Sequence, residues 1–286
     1  MVNRVTLLVL LLTLLCIQSQ GTRHNLELET ATSASGDDLT ASQDAPGSAN
    51  VASSLSAIFQ PQLGDFLSSY FAVYQAANGA YFGGGGRFDI YGHPNVTGHD
   101  TITTAVWIVG ERDDRTLDAI QAGWHAADLG CSNTACEGFV KSDTAPISPG
   151  DALPISTPDE IHELIMWIEK DETGDWWLYA STESTASGKV GHWPKSLFSK
   201  LAQNATVVSY GGFVQVKKGS VSPPMGSGHF PNDTAAFFSN VEYVDEFGRK
   251  IAGNLAAVVT DKNCYDVGNM GDATFFYGGP GGCVPV

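Results

Sequence analysis

Carboxylates stand close together at two places in the chain, Glu160 with Glu163 and Asp171 with Glu172 and Asp175. Paired carboxyls can divide acid and base work, but only when both converge on one substrate atom, which nearness in sequence does not supply. Glu169 to Asp175 reads most simply as a solvated hairpin tip. The 7 histidines are scattered, and the one in the most structured context is His229, in Met225-Gly-Ser-Gly-His-Phe-Pro231. Ser227 lacks the Gly-x-Ser-x-Gly elbow that a strand-to-helix serine nucleophile needs. The run Gly83-Gly-Gly-Gly86 has no Lys-Ser/Thr pair and no following helix, so a turn or bulge is a simpler reading than a phosphate loop. Trp176, Trp177 and Trp193 are candidates for stacking on sugar or proline rings, the signature of a carbohydrate-binding module. Core packing is the more common use of such rings.

Cysteine chemistry points outside the cytoplasm. Cys16 falls in an N-terminal segment with a basic start at Arg4, an apolar run from Val5 to Ile17 and small residues near Ser19 and Gly21. That is the pattern of a secretory signal peptide over residues 1–21. The run is too short for a stable membrane span, so a mature chain with no span, secreted and extracellular, is expected. Cys131, Cys136, Cys264 and Cys283 remain, an even number suited to two disulfides in an oxidising compartment. Three connectivities are open, and proximity favours Cys131 with Cys136 and Cys264 with Cys283. No Cys-x-x-Cys or histidine pair has zinc-ligand spacing, so neither a metal nor a cofactor is expected. Asn95, Asn204 and Asn232 head Asn-x-Ser/Thr sequons that an exporting host can glycosylate.

The net charge of −16, from 15 basic against 31 acidic residues, would repel nucleic acid and anionic membranes. Loss of Arg4 makes the mature chain more acidic still. Residues 22–67 are rich in Ser, Thr, Ala, Asp and Glu and read as a disordered linker or short pro-segment. Residues 68–286 form one expected domain.

Its pattern is of short alternating runs punctuated by glycine, 32 in the whole chain. Strands are expected at Phe71–Tyr74, Arg87–Tyr91, Thr101–Val109, His162–Glu169, Trp176–Ala180, Val207–Tyr210, Phe213–Val216, Ala236–Tyr243 and Leu255–Thr260. Pro194–Leu201 reads as one short helix, with proline in its first turn. An all-β antiparallel sandwich with one short helix follows.

A set of tags in order resembles the neprosin family, secreted glutamic endopeptidases with a β-sandwich catalytic domain. They are Ala105-Val-Trp-Ile-Val-Gly110, Ile120-Gln-Ala-Gly-Trp124, Gly130-Cys131 to Cys136-Glu-Gly-Phe-Val140, Asp175-Trp-Trp-Leu178, Gly191-His-Trp-Pro194 with Leu197-Phe198, and Tyr210-Gly-Gly212. Met225 to Pro231, Val244-Asp245, Asn263-Cys-Tyr-Asp-Val267 and Tyr277-Gly-Gly-Pro-Gly281 complete the series. The resemblance implies a catalytic glutamate in the first Gly-Trp segment and another after the Gly-Gly pair. Here those positions hold Gln121 and Phe213. An amide can donate to an oxyanion but cannot take a proton from water, and a phenyl ring does neither. Between Trp124 and Cys131 the chain runs only His-Ala-Ala-Asp-Leu-Gly, where the family carries an aromatic strand-bearing segment.

The expectation is a family member without competent peptidase chemistry that binds extended or proline-containing peptides. Gln121 and Trp124 would line its cleft, with Tyr210 and Phe213 on the facing strand. The enzymatic alternative is a prolyl-directed glutamic endopeptidase using displaced carboxylates, with Asp118, Glu137 and Glu163 as candidates.

Overall fold

The computed structural model describes residues 6–13, 67–93, 96, 100–111, 117–126 and 138–285. Among the described residues fifteen strands take up just over half: β1 (Thr6–Thr13), β2 (Leu67–Tyr81), β3 (Gly83–Asp89), β4 (Thr101–Glu111), β5 (Leu117–Ala126), β6 (Val140–Lys141), β7 (Glu163–Lys170) and β8 (Trp176–Thr182). They continue with β9 (Thr185–Trp193), β10 (Ala205–Lys217), β11 (Ala236–Val244), β12 (Lys250–Ala252), β13 (Ala256–Val259), β14 (Asp266–Val267) and β15 (Phe275–Gly278). Two antiparallel sheets pack as a sandwich. One has the order β1-β5-β4-β10-β2-β13, the other β14-β15-β11-β3-β7-β8-β9-β6, with β12 paired to β11.

Period-two alternation assigns every side chain of the first sheet to a face. Val106, Tyr210 and Ala122 share one level, and Ile108, Val208 and Ile120 the next. These face the second sheet and pack with Phe88, Leu164, Ile168, Leu178 and Phe238 in a shared core. Each fully buried ring of that core contributes roughly 2–3 kcal/mol of burial. The residues between them in sequence belong to the opposite face, and they are buried as well: Phe71, Trp107, Val109, Val207 and Phe213 form a second apolar cluster there.

Several expected elements change extent. The two runs on either side of Gly211-Gly212 are one continuous strand, because β2 and β4 both pair straight through the glycines. Glycine is required at 211, where φ is +145° and a Cβ would stand 2.3 Å from the carbonyl oxygen of Ala72. The glycine run at 83–86 is the start of β3, inside the sheet and not a turn. The expected helix reduces to a single 3-10 turn, Lys195–Leu197, with no side-chain cap. The reason is visible: the Asp118 carboxylate accepts the backbone N–H groups of Ser199, Lys200 and Leu201, which a longer helix would spend on its own carbonyls.

Residues 6–13, inside the segment read as a signal peptide, pair antiparallel with β5 over eight positions, Leu10 opposite Gln121. Residues 22–66 of the expected linker lie outside the described residues. Among the described residues, no helix is long and apolar enough to cross a membrane.

Tyr210 ties the sheets directly: its ring is fully buried and its hydroxyl donates to the carbonyl of Glu242 at 2.8 Å. Tyr210→Phe keeps the ring and strands that carbonyl, so urea unfolding should show a loss of about 1–2 kcal/mol with an unchanged m-value.

Candidate functional site

The Gln121 and Phe213 positions both belong to the face of the first sheet that points away from the second. Gln121 lies on β5, level with Trp107 on β4, Ser209 on β10 and Gln75 on β2. Its Oε1 accepts the Trp107 indole N–H at 3.0 Å, which leaves only the amide N–H groups to donate elsewhere. Phe213 lies level with Thr103, His125 and Phe71, and its ring centroid is 5.1 Å from that of Phe71. Gln121 and Phe213 are therefore four residues apart in register and two strands apart laterally. That is about 13 Å along the strands and about 10 Å across them. The structure does not bring them to one point.

The other two expected cleft residues point the opposite way. Trp124 is an odd number of residues from Gln121, and Tyr210 likewise from Phe213, so alternation sends both into the core. Trp124 is fully buried and its indole donates to the carbonyl of Asp89 at 2.8 Å. The expectation of one cleft lined by Gln121, Trp124, Tyr210 and Phe213 is corrected accordingly.

Among the described strand residues, Glu111 is the one carboxylate on the Gln121 face, at the end of β4 and two register steps beyond Trp107. Its Oε1 is buried without a hydrogen-bond partner, and burial raises its pKa. It stands about 14 Å from Gln121 by strand geometry, too far for a shared proton. The displaced-carboxylate candidates fare no better. Asp118 is consumed by three backbone N–H groups. Glu163 is ion-paired with Arg87 on the other sheet. Glu137 lies outside the described residues. Among the described residues of that face no carboxylate stands beside Gln121, and its histidine, His125, is level with Phe213, four residues further along β5.

Two further perturbed titratable groups, which sequence reading missed, sit at the end of β3. Burial pushes the Asp89 carboxyl up to about 8, against hydrogen bonds from the Phe237 N–H and the Tyr91 hydroxyl. Burial lowers the neighbouring His93 to about 4, and its ring stacks on Trp124. Tyr277 donates to or accepts from Thr104 Oγ1 at 2.7 Å in the same region. The only sequence signal was the Asp-x-Tyr-x-His alternation at the end of β3, which is not specific.

The remaining candidates are quickly placed. Cys264 and Cys283 form a disulfide, Cα–Cα 5.9 Å, while Cys131, Cys136 and Asn95 lie outside the described residues. Asp261 adjoins that disulfide, but sulfurs bonded to each other offer no thiolate to a metal. Asn204 donates its side-chain amide to the Ala205 carbonyl, whereas Asn232 is exposed with its oxygen turned to Thr234. Trp176 and Trp193 are fully buried and cannot stack on a sugar; Trp177 stacks on His192.

A model of the neprosin family matches residues 124–280, over half of the chain. Two solved structures are similar in shape. The crystal structure of scytalido-glutamic peptidase with a transition state analog inhibitor has a TM-score of 0.45 at 11% identity, over 74% of this chain and 98% of that one. The same peptidase with a peptide based transition state analog gives 0.42, with equal identity and coverage.

Asp89 titrates well above its unfolded value near 3.9, so the unfolded chain releases this proton first and stability falls as pH rises between the two values. His93, lowered, opposes that slope below about pH 6.5, which leaves Asp89 alone above it. Calorimetry should therefore show the advantage of Asp89→Asn over the natural chain growing by about 1–2 kcal/mol from pH 6.5 to pH 8.

Proposed function

Because the chain belongs to the neprosin family, we propose that it is a secreted member that has given up glutamic peptidase chemistry and binds extended, proline-containing peptides along the β5 edge. What supports the loss of catalysis is the setting of the two family positions. Glutamic peptidase chemistry needs one group to take a proton from water and a partner to hold the oxyanion. Gln121 offers the second role only, with its oxygen already bonded to Trp107. Phe213 sits in an apolar cluster with Phe71, Val207 and Trp107. Losing a general base costs on the order of 10²–10⁴ in rate, before the loss of a second carboxylate is counted.

The observation that carries the binding role is the antiparallel pairing of residues 6–13 with β5. If residues 1–21 leave on export, β5 becomes the edge of its sheet. From Ala119 to Ala126 that strand holds no lysine, arginine, carboxylate or proline, the residues that ordinarily protect an open edge from pairing. An extended peptide can add there through main-chain hydrogen bonds. Proline is tolerated at alternate positions, where the backbone N–H would point away from β5. Such a strand would run past Gln121, at the position opposite Leu10.

The test is fluorescence polarisation with a labelled gliadin-type peptide, using the chain from Thr22 and the chain retaining residues 1–21, with product analysis from pH 3 to pH 8. Binding to the shorter chain alone, with no cleavage, is expected. Cleavage that disappears in Gln121→Ala would overturn the inactive reading. Equal binding to both chains, or to neither, would overturn the β5 seat.

A further inference from the structure

The outer face of the nine-membered second sheet carries a groove of about 440 Å³, bordered by Trp167, Tyr179, Asn240, Glu242, Glu169 and Lys250. Its shape comes from backbone choices in β3 and β11. Gly85 lies level with Trp167 and with Glu242 on either side. A Cβ there would stand 2.6 Å from Cε3 of Trp167 and 2.2 Å from the carbonyl of Met166, so glycine lets the indole lie close over the strand. On β11 the register shifts between Ser239 and Glu242, and Asn240 takes a left-handed φ of 52°. That bulge spreads the opposite wall. Trp167 and Tyr179 stand directly across from each other on β7 and β8, giving two adjacent, half-buried rings.

The groove already holds a cation of its own. The Lys250 ammonium lies 3.9 Å from the centroid of the Trp167 ring. The same indole donates its N–H to Glu169 at 2.6 Å, and Glu242 borders the opposite wall. Lys250 comes from β12, a three-residue strand that pairs with β11 alone, and its side chain is exposed. Arg87, the other cation at the rim, is committed to Glu163. Glu169 and Glu242 together outweigh Lys250, and the chain as a whole carries −16.

We propose that this groove binds the cationic side chain of a lysine or arginine in an extracellular peptide, with Lys250 as an internal placeholder that the ligand displaces. An aromatic face flanked by carboxylates attracts an ammonium or guanidinium. The field of the whole molecule concentrates cations near it. A phosphate or sulfate meets two carboxylates instead. A neutral sugar has to displace Lys250 and leaves the ring and both carboxylates without a cation. The groove is on the opposite side of the sandwich from Gln121, so this inference stands apart from the β5 edge.

The test titrates the chain from Thr22 with acetyl-Gly-Lys-Gly-amide and with its Nε-acetyl-lysine twin, following the Trp167 indole N–H by NMR. The Trp176 indole N–H, bonded to the Leu201 carbonyl at 2.9 Å, reports that the fold is intact. The lysine peptide should shift the Trp167 signal, more weakly at high salt, and the acetylated twin should not. Lys250→Met removes the competitor and should tighten binding by about two- to fivefold. An unshifted Trp167 signal with the lysine peptide, equal response to the acetylated twin, or an unchanged affinity in Lys250→Met would each overturn the proposal.

Discussion

The two sheets are held in one relation by hydrogen bonds from aromatic side chains that cross the core. The Tyr210 hydroxyl reaches from β10 to the carbonyl of Glu242 on β11, and the Trp124 indole from β5 to that of Asp89 on β3. Tyr277 on β15 bonds Thr104 on β4, and the Tyr74 hydroxyl on β2 donates to Gly268 beyond β14. Apolar burial supplies most of the stability, but it is non-directional and would tolerate sliding of one sheet over the other. A buried polar tip without its partner costs about 1–3 kcal/mol, so four of them select a single alignment.

That alignment decides the rest by parity. Once Trp124 and Tyr210 are committed to the core, Gln121 and Phe213 must lie on the far face, three residues away along their strands. At its own level Gln121 then has Trp107, Ser209 and Gln75, and Phe213 has Thr103, His125 and Phe71. The residues at 121 and 213 suit these surroundings: an amide whose oxygen accepts an indole N–H, and a phenyl ring that extends a cluster already containing Phe71 and Trp107.

Much of this was legible in the sequence. Alternation from Arg87 marked the second half of β3, the run Thr101–Val109 marked β4, and the Glu169–Asp175 tip marked the hairpin of β7 and β8. The pairing of Cys264 with Cys283 followed from proximity. What failed did so for identifiable reasons. Gly211-Gly212 looked like a break, because propensity cannot register that both neighbouring strands hydrogen-bond through it. Pro194–Leu201 looked like a short helix, because the Asp118 carboxylate that captures the backbone there is some eighty residues away in sequence. The cleft was misjudged by treating Gln121 and Trp124 as neighbours, which on a strand they cannot be.

The same reasoning explains why the second groove was invisible beforehand. Trp167, Gly85 and Glu242 come from three strands whose order in the sheet does not follow the sequence, so nothing in their spacing joins them. Gly83–Gly86 was read as punctuation, yet in the middle of a sheet a glycine's missing side chain is a shape, a trough into which a neighbouring ring can settle. The ammonium over that ring adds a chemical statement to the geometric one. On a molecule this acidic, a lysine held against an indole marks a place where the protein's own charge distribution favours a cation, whether it comes from the same chain or from another.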